Sequence, residues 1–391
     1  MNTEPKPSSA TDVADAIADA VRTGARLELR GGGSKAAIGA PREAAVLDLS
    51  ELSGVIDYDP AELVLTAKPG TPLVMIEDLV ASEGQMLAFE PFDHGPLFGR
   101  PPGAATIGGV LAAGVAGSRR LTAGGARDHL LGFQAVSGRG ERFTAGAKVV
   151  KNVTGYDLPK LATGSWGRLF ALTEVTLKVL PRGRISVSVA ADGLRPDQAQ
   201  HAMAKALGSQ ADVQAAAHLP AELADPSLTV VRLEGFGPSV AARAAMIREL
   251  WRDFASARHL EDDEAARFWT TLRSLSPLDD GGQLWRVNTP PSAGPALVAR
   301  LAPHGVRWMF DWAGGLTWLT FDGDPAEVRT AAAQLGGHAF LIRAEDTVRR
   351  RTPALHPPQP GVGALEARVR AAFDPLGVFE TGRFLDVAHA D

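Results

Sequence analysis

The sequence predicts a two-domain α+β chain, and three observations carry that expectation. Its 391 residues exceed what a single ordinary core holds. Its first two strand-like runs, Leu27–Arg30 and Ala45–Leu49, are joined by a glycine loop too short for a crossover helix. From Arg184 onward strands alternate with helices, and six of the seven tryptophans follow residue 250. That change of texture predicts a separate α+β domain built on an antiparallel sheet.

Bulk composition narrows the classes of function. Hydrophobic residues at 45% and charged residues at 22% describe a globular chain that keeps a solvated surface. A net charge of −5 offers no electrostatic reason to bind nucleic acid or an anionic membrane. With no cysteine, this chain holds no disulfide, thiolate metal site or thiolate-bound iron–sulfur cluster. The opening MNTEPKPSSATDVADAIADA lacks the apolar core of a signal peptide, and Arg119-Arg120 is internal. No run reaches the ~18 apolar residues of a membrane span. A cytoplasmic protein without direct membrane insertion is expected.

Taken in order, residues 1–10 read as a disordered tail. Thr11 caps a helix whose Val13, Ile17 and Val21 recur every fourth position, and Gly24 stops it. After the first strand comes Gly31-Gly32-Gly33-Ser34-Lys35. Gly31-x-Gly33-x-x-Ala36 matches the loose dinucleotide fingerprint, with Asp48 as the acid, but only Ala37–Glu43, broken by Gly39 and Pro41, is available for the helix that fold requires. A phosphate loop of the Gly-Lys-Ser/Thr kind is absent too. Two readings remain: loop amides that face a phosphate, or a plain glycine turn.

Leu63–Ala67 reads as a strand, Leu73–Ser82 as a helix ended by Gly84, and Met86–Phe89 as a strand. The following loop holds His94, read as solvated rather than as a ligand. Thr106 caps a turn in which Ile107, Gly108 and Gly109 expose amide donors, and Ala112, Ala113, Gly114 and Ala116 permit close packing. Asp128–Phe143 reads as a hairpin, Asn152–Gly164 as a short helix and Leu172–Val179 as a strand. Beyond Arg184, strands are expected at ISVSVAA, LTVVRLEGF, LWRVNTPP, VRWMFDWAGG, LTWLTFDG and HAFLIRA. Helices are expected at 196–207, 239–256 and Arg267–Leu275. The domains expected are 11–183 with an internal break near residue 62, then 184–345, then 346–391 as a linker and a return to the first domain.

The stretch Pro101–Leu180, with PPGAATIGGVLAAGVAGSRR, KNVTGYDLPKLATGS and GSWGRLFALTEVTLKVLP, resembles the PCMH-type FAD-binding domain of the vanillyl-alcohol-oxidase superfamily. With RGGGSK and LWRVNTPP added, it most resembles the family of smaller FAD-binding subunits of bacterial glycolate oxidases. The resemblance implies two FAD-binding subdomains and an antiparallel-sheet cap domain. It also implies a pyrophosphate lying on loop amides. The residues it assigns are Arg30, Gly31, Gly32, Gly33, Ser34 and Lys35, then Pro102, Gly103, Ala104, Ala105 and Thr106, with Ile107, Gly108 and Gly109. It further assigns Ala113, Gly114, Val115 and Ala116. A last segment comprises Trp166, Gly167, Arg168, Leu169, Phe170, Ala171, Leu172, Thr173 and Glu174. Where family members commonly have Gly-Thr-Leu-Gly, this chain has Gly167-Arg168-Leu169-Phe170. Near the C-terminus, Glu380-Thr381-Gly382 replaces the usual Asn-Pro-Gly.

With no histidine or cysteine in the first loop, FAD is expected to be non-covalent. The resemblance implies a larger FAD-binding catalytic subunit and an iron–sulfur subunit as partners, and oxidation of glycolate to glyoxylate. Two alternatives stay open: a non-catalytic relay or scaffold subunit, and a stand-alone FAD dehydrogenase for another substrate. The nine histidines are isolated, so no catalytic base is assigned, and no metal site is expected. Arg286, Arg343 and Arg383 are candidates to hold a substrate carboxylate, or else salt-bridge residues. The aromatic run Arg307–Trp318 reads as a partner surface or as core.

Overall fold

The computed structural model describes residues 6–147, 156–279 and 281–384. The described residues divide into two compact units, the first formed by residues 6–117, 124–147, 156–181 and 357–384, the second by 118–123, 182–279 and 281–356. The six residues 118–123 therefore belong with the second unit, an excursion that the expected continuous domain 11–183 does not contain.

In the first unit, helix Ala10–Thr23 is capped by Ser9, not Thr11. Ser9 Oγ accepts the Asp12 N–H at 3.2 Å, and the Asp12 carboxylate accepts the Ser9 N–H at 3.0 Å. A capping box needs an acid or amide three residues on, which Ser9 has and Thr11 lacks. The helix buries Val13 and Ile17 against Leu27, Leu47, Val136, Ala171 and Phe379. Strands β1 (Leu27–Arg30) and β2 (Ala45–Asp48) pair in parallel, Leu27 opposite Ala45 and Arg30 opposite Asp48. A loop joins them, tied down by the Arg42–Glu28 ion pair at 2.6 Å.

The other strands of this unit are β3 (Val55–Asp59), β4 (Val64–Ala67), β5 (Gln85–Met86), β6 (Leu130–Ser137), β7 (Arg142–Gly146), β8 (Phe170–Lys178) and β9 (Leu180–Pro181). Five of them form an antiparallel sheet in the order β3-β4-β8-β6-β7. Residue 62 lies in the turn between β3 and β4 of that sheet, so the change of sheet falls between Asp48 and Val55 rather than near 62. The run expected as a strand over Met86–Phe89 is extended only at Gln85–Met86, then turns through Glu90 at φ 48°.

Helix Ile107–Ala113 stands where the sequence suggests only a turn. Two glycines disfavour it by ~2 kcal/mol in all, but Ile107, Val110 and Leu111 are fully buried and packing offsets that cost. Of the expected helix Asn152–Gly164, residues 152–155 lie outside the described residues; Leu158–Ala162 is helical, with Asp157 as its cap.

The second unit is one antiparallel sheet. Its strands are β10 (Ile185–Asp192), β11 (Val213–Leu219), β12 (Leu228–Gly235), β13 (Ala257–Leu260), β14 (Leu284–Asn288), β15 (Arg307–Asp311), β16 (Leu316–Thr320) and β17 (His338–Arg343). Their spatial order is β13-β10-β12-β11-β15-β16-β14-β17. Helices Pro196–Leu207, Gly237–Trp251, Gly294–Leu301 and Pro325–Gln334 cover one face. There Met203, Ile247, Trp251, Leu297 and Ala332 pack with Val189, Val231, Trp285 and Phe310 from the strands. The run Arg307–Trp318 is β15, a tight turn and the start of β16. Its Trp308, Met309, Phe310, Trp312 and Trp318 are all at most 7% exposed, which corrects the expectation of a partner surface. Asp346–Arg351 and Pro360–Phe373 are helices where the sequence reads as a linker.

Candidate functional site

The first unit contains a cleft enclosing about 780 Å³, including its part open to solvent, a size suited to a bound small molecule. From the residues assigned by resemblance, its wall takes Arg30, Gly31, Gly32, Gly33, Ser34, Lys35, Thr106, Gly108, Gly109, Ala113, Trp166, Gly167, Phe170 and Leu172. Pro102, Gly103, Ala104, Ala105, Ile107, Gly114, Val115, Ala116, Arg168, Leu169, Ala171, Thr173 and Glu174 do not line it. Sequence reasoning missed Glu28, Leu29, Ala36, Leu49, Pro69, Ala112 and Ser165, which complete it.

The loop after β1 has its carbonyls and amides in opposite situations. Gly32 O accepts from Arg100 at 3.3 Å, Gly33 O from the Ala36 N–H at 3.1 Å, and Lys35 O from the Ile38 N–H at 3.2 Å and from Arg383. The N–H groups of Gly32, Gly33, Ser34 and Lys35 donate to no protein acceptor among the described residues. Successive free amides make an anion-binding concavity. Lys35 reinforces it. Its side chain is only 7% exposed, and its ammonium donates to Ser34 Oγ at 3.1 Å. Burial pushes that ammonium down to about 8, Asp93 opposing and Arg383 adding to the shift. Such a buried cation beside free amides is what a pyrophosphate needs.

The turn before helix Ile107–Ala113 differs from expectation. Ile107 N–H donates to Thr71 O at 3.0 Å and Gly108 N–H to Pro69 O at 2.8 Å, so neither amide is open. Gly109 N–H has no protein acceptor among the described residues, and a Cβ built there would lie 4.0 Å from Lys35 Nζ. The two loops are locked together elsewhere. A Cβ on Gly32 would overlap the Ala104 carbonyl oxygen, and one on Gly108 would sit 2.5 Å from Pro69 Cβ. Asp93 holds the second loop by accepting from the amides of Gly95, Gly103 and Ala104 at 2.8, 2.9 and 3.0 Å. Its signal in the sequence, one acid in a Pro- and Gly-rich loop, is too common to have been singled out.

A third wall is the turn 165–167, where Trp166 has φ 56° and donates its N–H to Ala112 O at 2.8 Å. Phe170, in place of a family glycine, is buried and stacks on Phe133 with centroids 5.1 Å apart. Of the three arginines considered for an anion, Arg383 lines this cleft and lies over Trp166 at 4.9 Å. Arg343 is a structural residue, paired with Asp279 at 2.5 Å and with Leu278 O at 3.1 Å. Arg286 lies in the second unit. His94 is 5% exposed and stacked on Phe92 at 4.4 Å, not solvated as the sequence suggests.

A family model described as an FAD binding domain matches residues 5–146. The glycolate oxidase subunit GlcE of Escherichia coli (strain K12) is 35% identical over 359 residues, which is 91% of this chain and 92% of that protein. The glycolate oxidase subunit GlcD of Bacillus subtilis (strain 168) is 29% identical over 225 residues, 56% of this chain and 45% of that one. Among solved structures, p-cresol methylhydroxylase with substrate bound is similar with a TM-score of 0.69 at 13% identity, over 97% of this chain and 87% of that chain. That last likeness concerns the fold, which is the PCMH-type fold expected from the sequence. The residues of the cleft fit FAD: free amides and a buried ammonium meet an anion, and Trp166, Phe170 and Leu172 give an apolar wall. The chain belongs to the family of the glycolate oxidase subunit GlcE, and is an FAD-binding oxidoreductase.

Proposed function

We propose that this chain is the FAD-binding subunit of a complex that oxidises glycolate, or a close 2-hydroxy acid, to the 2-oxo acid. What supports the reading most is that the likeness to the GlcE subunit runs through both units, over 91% of the chain, rather than through the FAD-binding part alone. Lys35 and the amides of Gly32 to Lys35 hold the pyrophosphate, with the Gly109 amide at the edge. The remaining residues assigned by resemblance shape the loops behind them. Among the described residues no histidine, tyrosine or cysteine lines the cleft, which supports FAD held without a covalent bond. FAD supplies the two-electron acceptor for the substrate's α-carbon. The chain has no cysteine for a thiolate-bound cluster, so electrons leave it for a larger FAD-binding subunit and an iron–sulfur subunit. Among the described residues no helix is long and apolar enough to cross a membrane, and we place the protein in the cytoplasm.

A second reading, an electron-relay or scaffold subunit, draws on the spacing of the nine histidines in the sequence, none adjacent and none in a His-x-His pair. Among the described residues no group of three or more His, Cys, Asp or Glu is placed to hold a metal ion. One experiment separates the readings. The purified chain and its reconstituted complex are mixed with glycolate without oxygen and assayed with the same artificial electron acceptor. The complex should bleach and turn over, the isolated chain slowly or not at all, and trichloroacetic acid should release all flavin. Equal rapid turnover by the isolated chain would make it a self-sufficient dehydrogenase. Bleaching in neither sample would reject a 2-hydroxy acid of this kind, and flavin left in the acid pellet would reject non-covalent binding.

A further inference from the structure

The sheet of the second unit has two unlike faces. Along β14, Trp285 and Val287 point into the helix-covered core with Leu319, Ala339 and Leu341. Arg286, between them, points to the opposite face, as alternation along a strand requires. Its register partners there are Trp318 on β16 and Phe340 on β17. One pleat further along the same face, Asn288 stands opposite Leu316 and His338.

This face carries several arginines, and they differ in their partners. Arg119 and Arg232 share Glu234. Arg286 and Arg120 pair with no carboxylate among the described residues. Instead their guanidinium carbons lie 5.4 and 4.7 Å from the Trp312 ring centroid, which puts the two charges no more than about 10 Å apart. The acid nearest in the register, Asp311, is on the same face but engaged, accepting from Ser118 Oγ at 2.8 Å and from the Trp312 N–H at 2.7 Å. Burial, then the neighbouring Arg120, pushes Arg286 down to about 10, so it stays charged at neutral pH. Burial, then Arg286 and Arg120, pushes the His338 imidazole below its ordinary range, leaving it neutral and able to accept a hydrogen bond.

We propose that Arg120, Arg286 and His338 form a carboxylate site in the second unit, taking a small 2-hydroxy monocarboxylate whose carboxylate meets the two guanidinium groups and whose hydroxyl donates to His338. The arginine pair calls for an anion, and the fork geometry suits a carboxylate or a phosphate. The neutral imidazole keeps one accepting nitrogen, which the hydroxyl of a 2-hydroxy acid meets while its carboxylate stays on the arginines; inorganic phosphate, which also carries a hydroxyl, is the competing ligand that titration must separate from it. The choice of a 2-hydroxy acid rests on the proposed function; the anion site does not.

The test is calorimetric titration of the FAD-loaded chain, its flavin first reduced with dithionite so that nothing turns over, with glycolate, acetate and inorganic phosphate. Glycolate should bind about tenfold more tightly than acetate, and phosphate more weakly than either. Arg286→Met should weaken both carboxylates about 30-fold, and Arg120→Gln, at an exposed position, about fivefold. His338→Ala should bring glycolate down to the level of acetate. Flavin content and melting temperature should stay at wild-type values for Arg120→Gln and His338→Ala. Binding by Arg120→Gln and His338→Ala indistinguishable from wild type, phosphate binding tighter than glycolate, or no carboxylate binding by the wild type would each overturn the site. Were the variants to lose binding while glycolate never reduced the wild-type flavin, the proposed function would fall and this site would stand. The reverse pattern would reject the site alone.

Discussion

The loop Gly31–Lys35 and the turn Ile107–Gly109 are both glycine-rich, and the fold treats their amides oppositely. In the first, carbonyls are engaged and four consecutive N–H groups are left open beside a buried ammonium. In the second, two of three amides are bound to Thr71 and Pro69 carbonyls, and among the described residues only the Gly109 N–H has no protein acceptor. Glycine therefore serves two purposes a few ångströms apart. Gly32 and Gly108 let backbone pack on backbone, whereas Gly109 keeps a space clear. Composition alone cannot separate these uses, because both need only the missing Cβ.

The largest effect that separates them is expected at Gly32. Its side chain would collide with the rigid Ala104 carbonyl, so Gly32→Val should destabilise the apo-protein by at least ~3 kcal/mol in urea unfolding, as well as abolish flavin binding. Full apo-stability with flavin lost would instead mean that Gly32 keeps room for the cofactor.

Lys35 gives the next effect, and its sign depends on pH. Its folded value of about 8 lies below the ordinary 10.5, so the unfolded chain binds the extra proton between the two. Apo-stability therefore rises with pH across that window, and below pH 8 the buried charge costs on the order of 3 kcal/mol. Lys35→Met should be more stable than wild type without flavin at pH 7, with the advantage shrinking from pH 8 toward 10.5. Denaturant titrations of both apo-proteins at pH 7 and 9.5 check this; an advantage that grows with pH would contradict it.

Gly109→Ala should be the mildest change. Its Cβ would lie 3.4 Å from Thr106 Oγ1, ordinary contact, and alanine favours the helix. The apo-protein should melt no lower than wild type, while FAD dissociation rises about tenfold as the methyl group enters the cleft. Unchanged FAD affinity would move the pyrophosphate away from Gly109.

Much of this architecture is legible in the sequence, for reasons that also explain the failures. Leu27–Arg30, Leu73–Ser82 and Pro196–Leu207 carry clear periodicity or clear stops, and the structure has them with those limits. Val213–Leu219 reads Val-Gln-Ala-Ala-Ala-His-Leu, with helix-favouring alanines, and becomes a strand only because β12 and β15 flank it. Helix Ile107–Ala113 is hidden in the same way by its glycines. At the site, the pattern Gly-Gly-Gly-Ser-Lys marks the first loop, but Asp93 and Pro69 act through contacts distant in sequence that no local pattern displays. Arg286 could be picked out as a cation; only the register of β14 separates it from the salt-bridged Arg343.

We propose that the loop after β1 grips the pyrophosphate through its free amides and Lys35. Titration of the apo-chain with FAD and with riboflavin, which lacks the pyrophosphate, tests it most directly. Wild type should prefer FAD by roughly 1,000-fold, and Lys35→Met should weaken FAD by about 30- to 100-fold while leaving riboflavin within about twofold. Equal losses for both ligands, or no loss for FAD, would contradict the assignment of this loop.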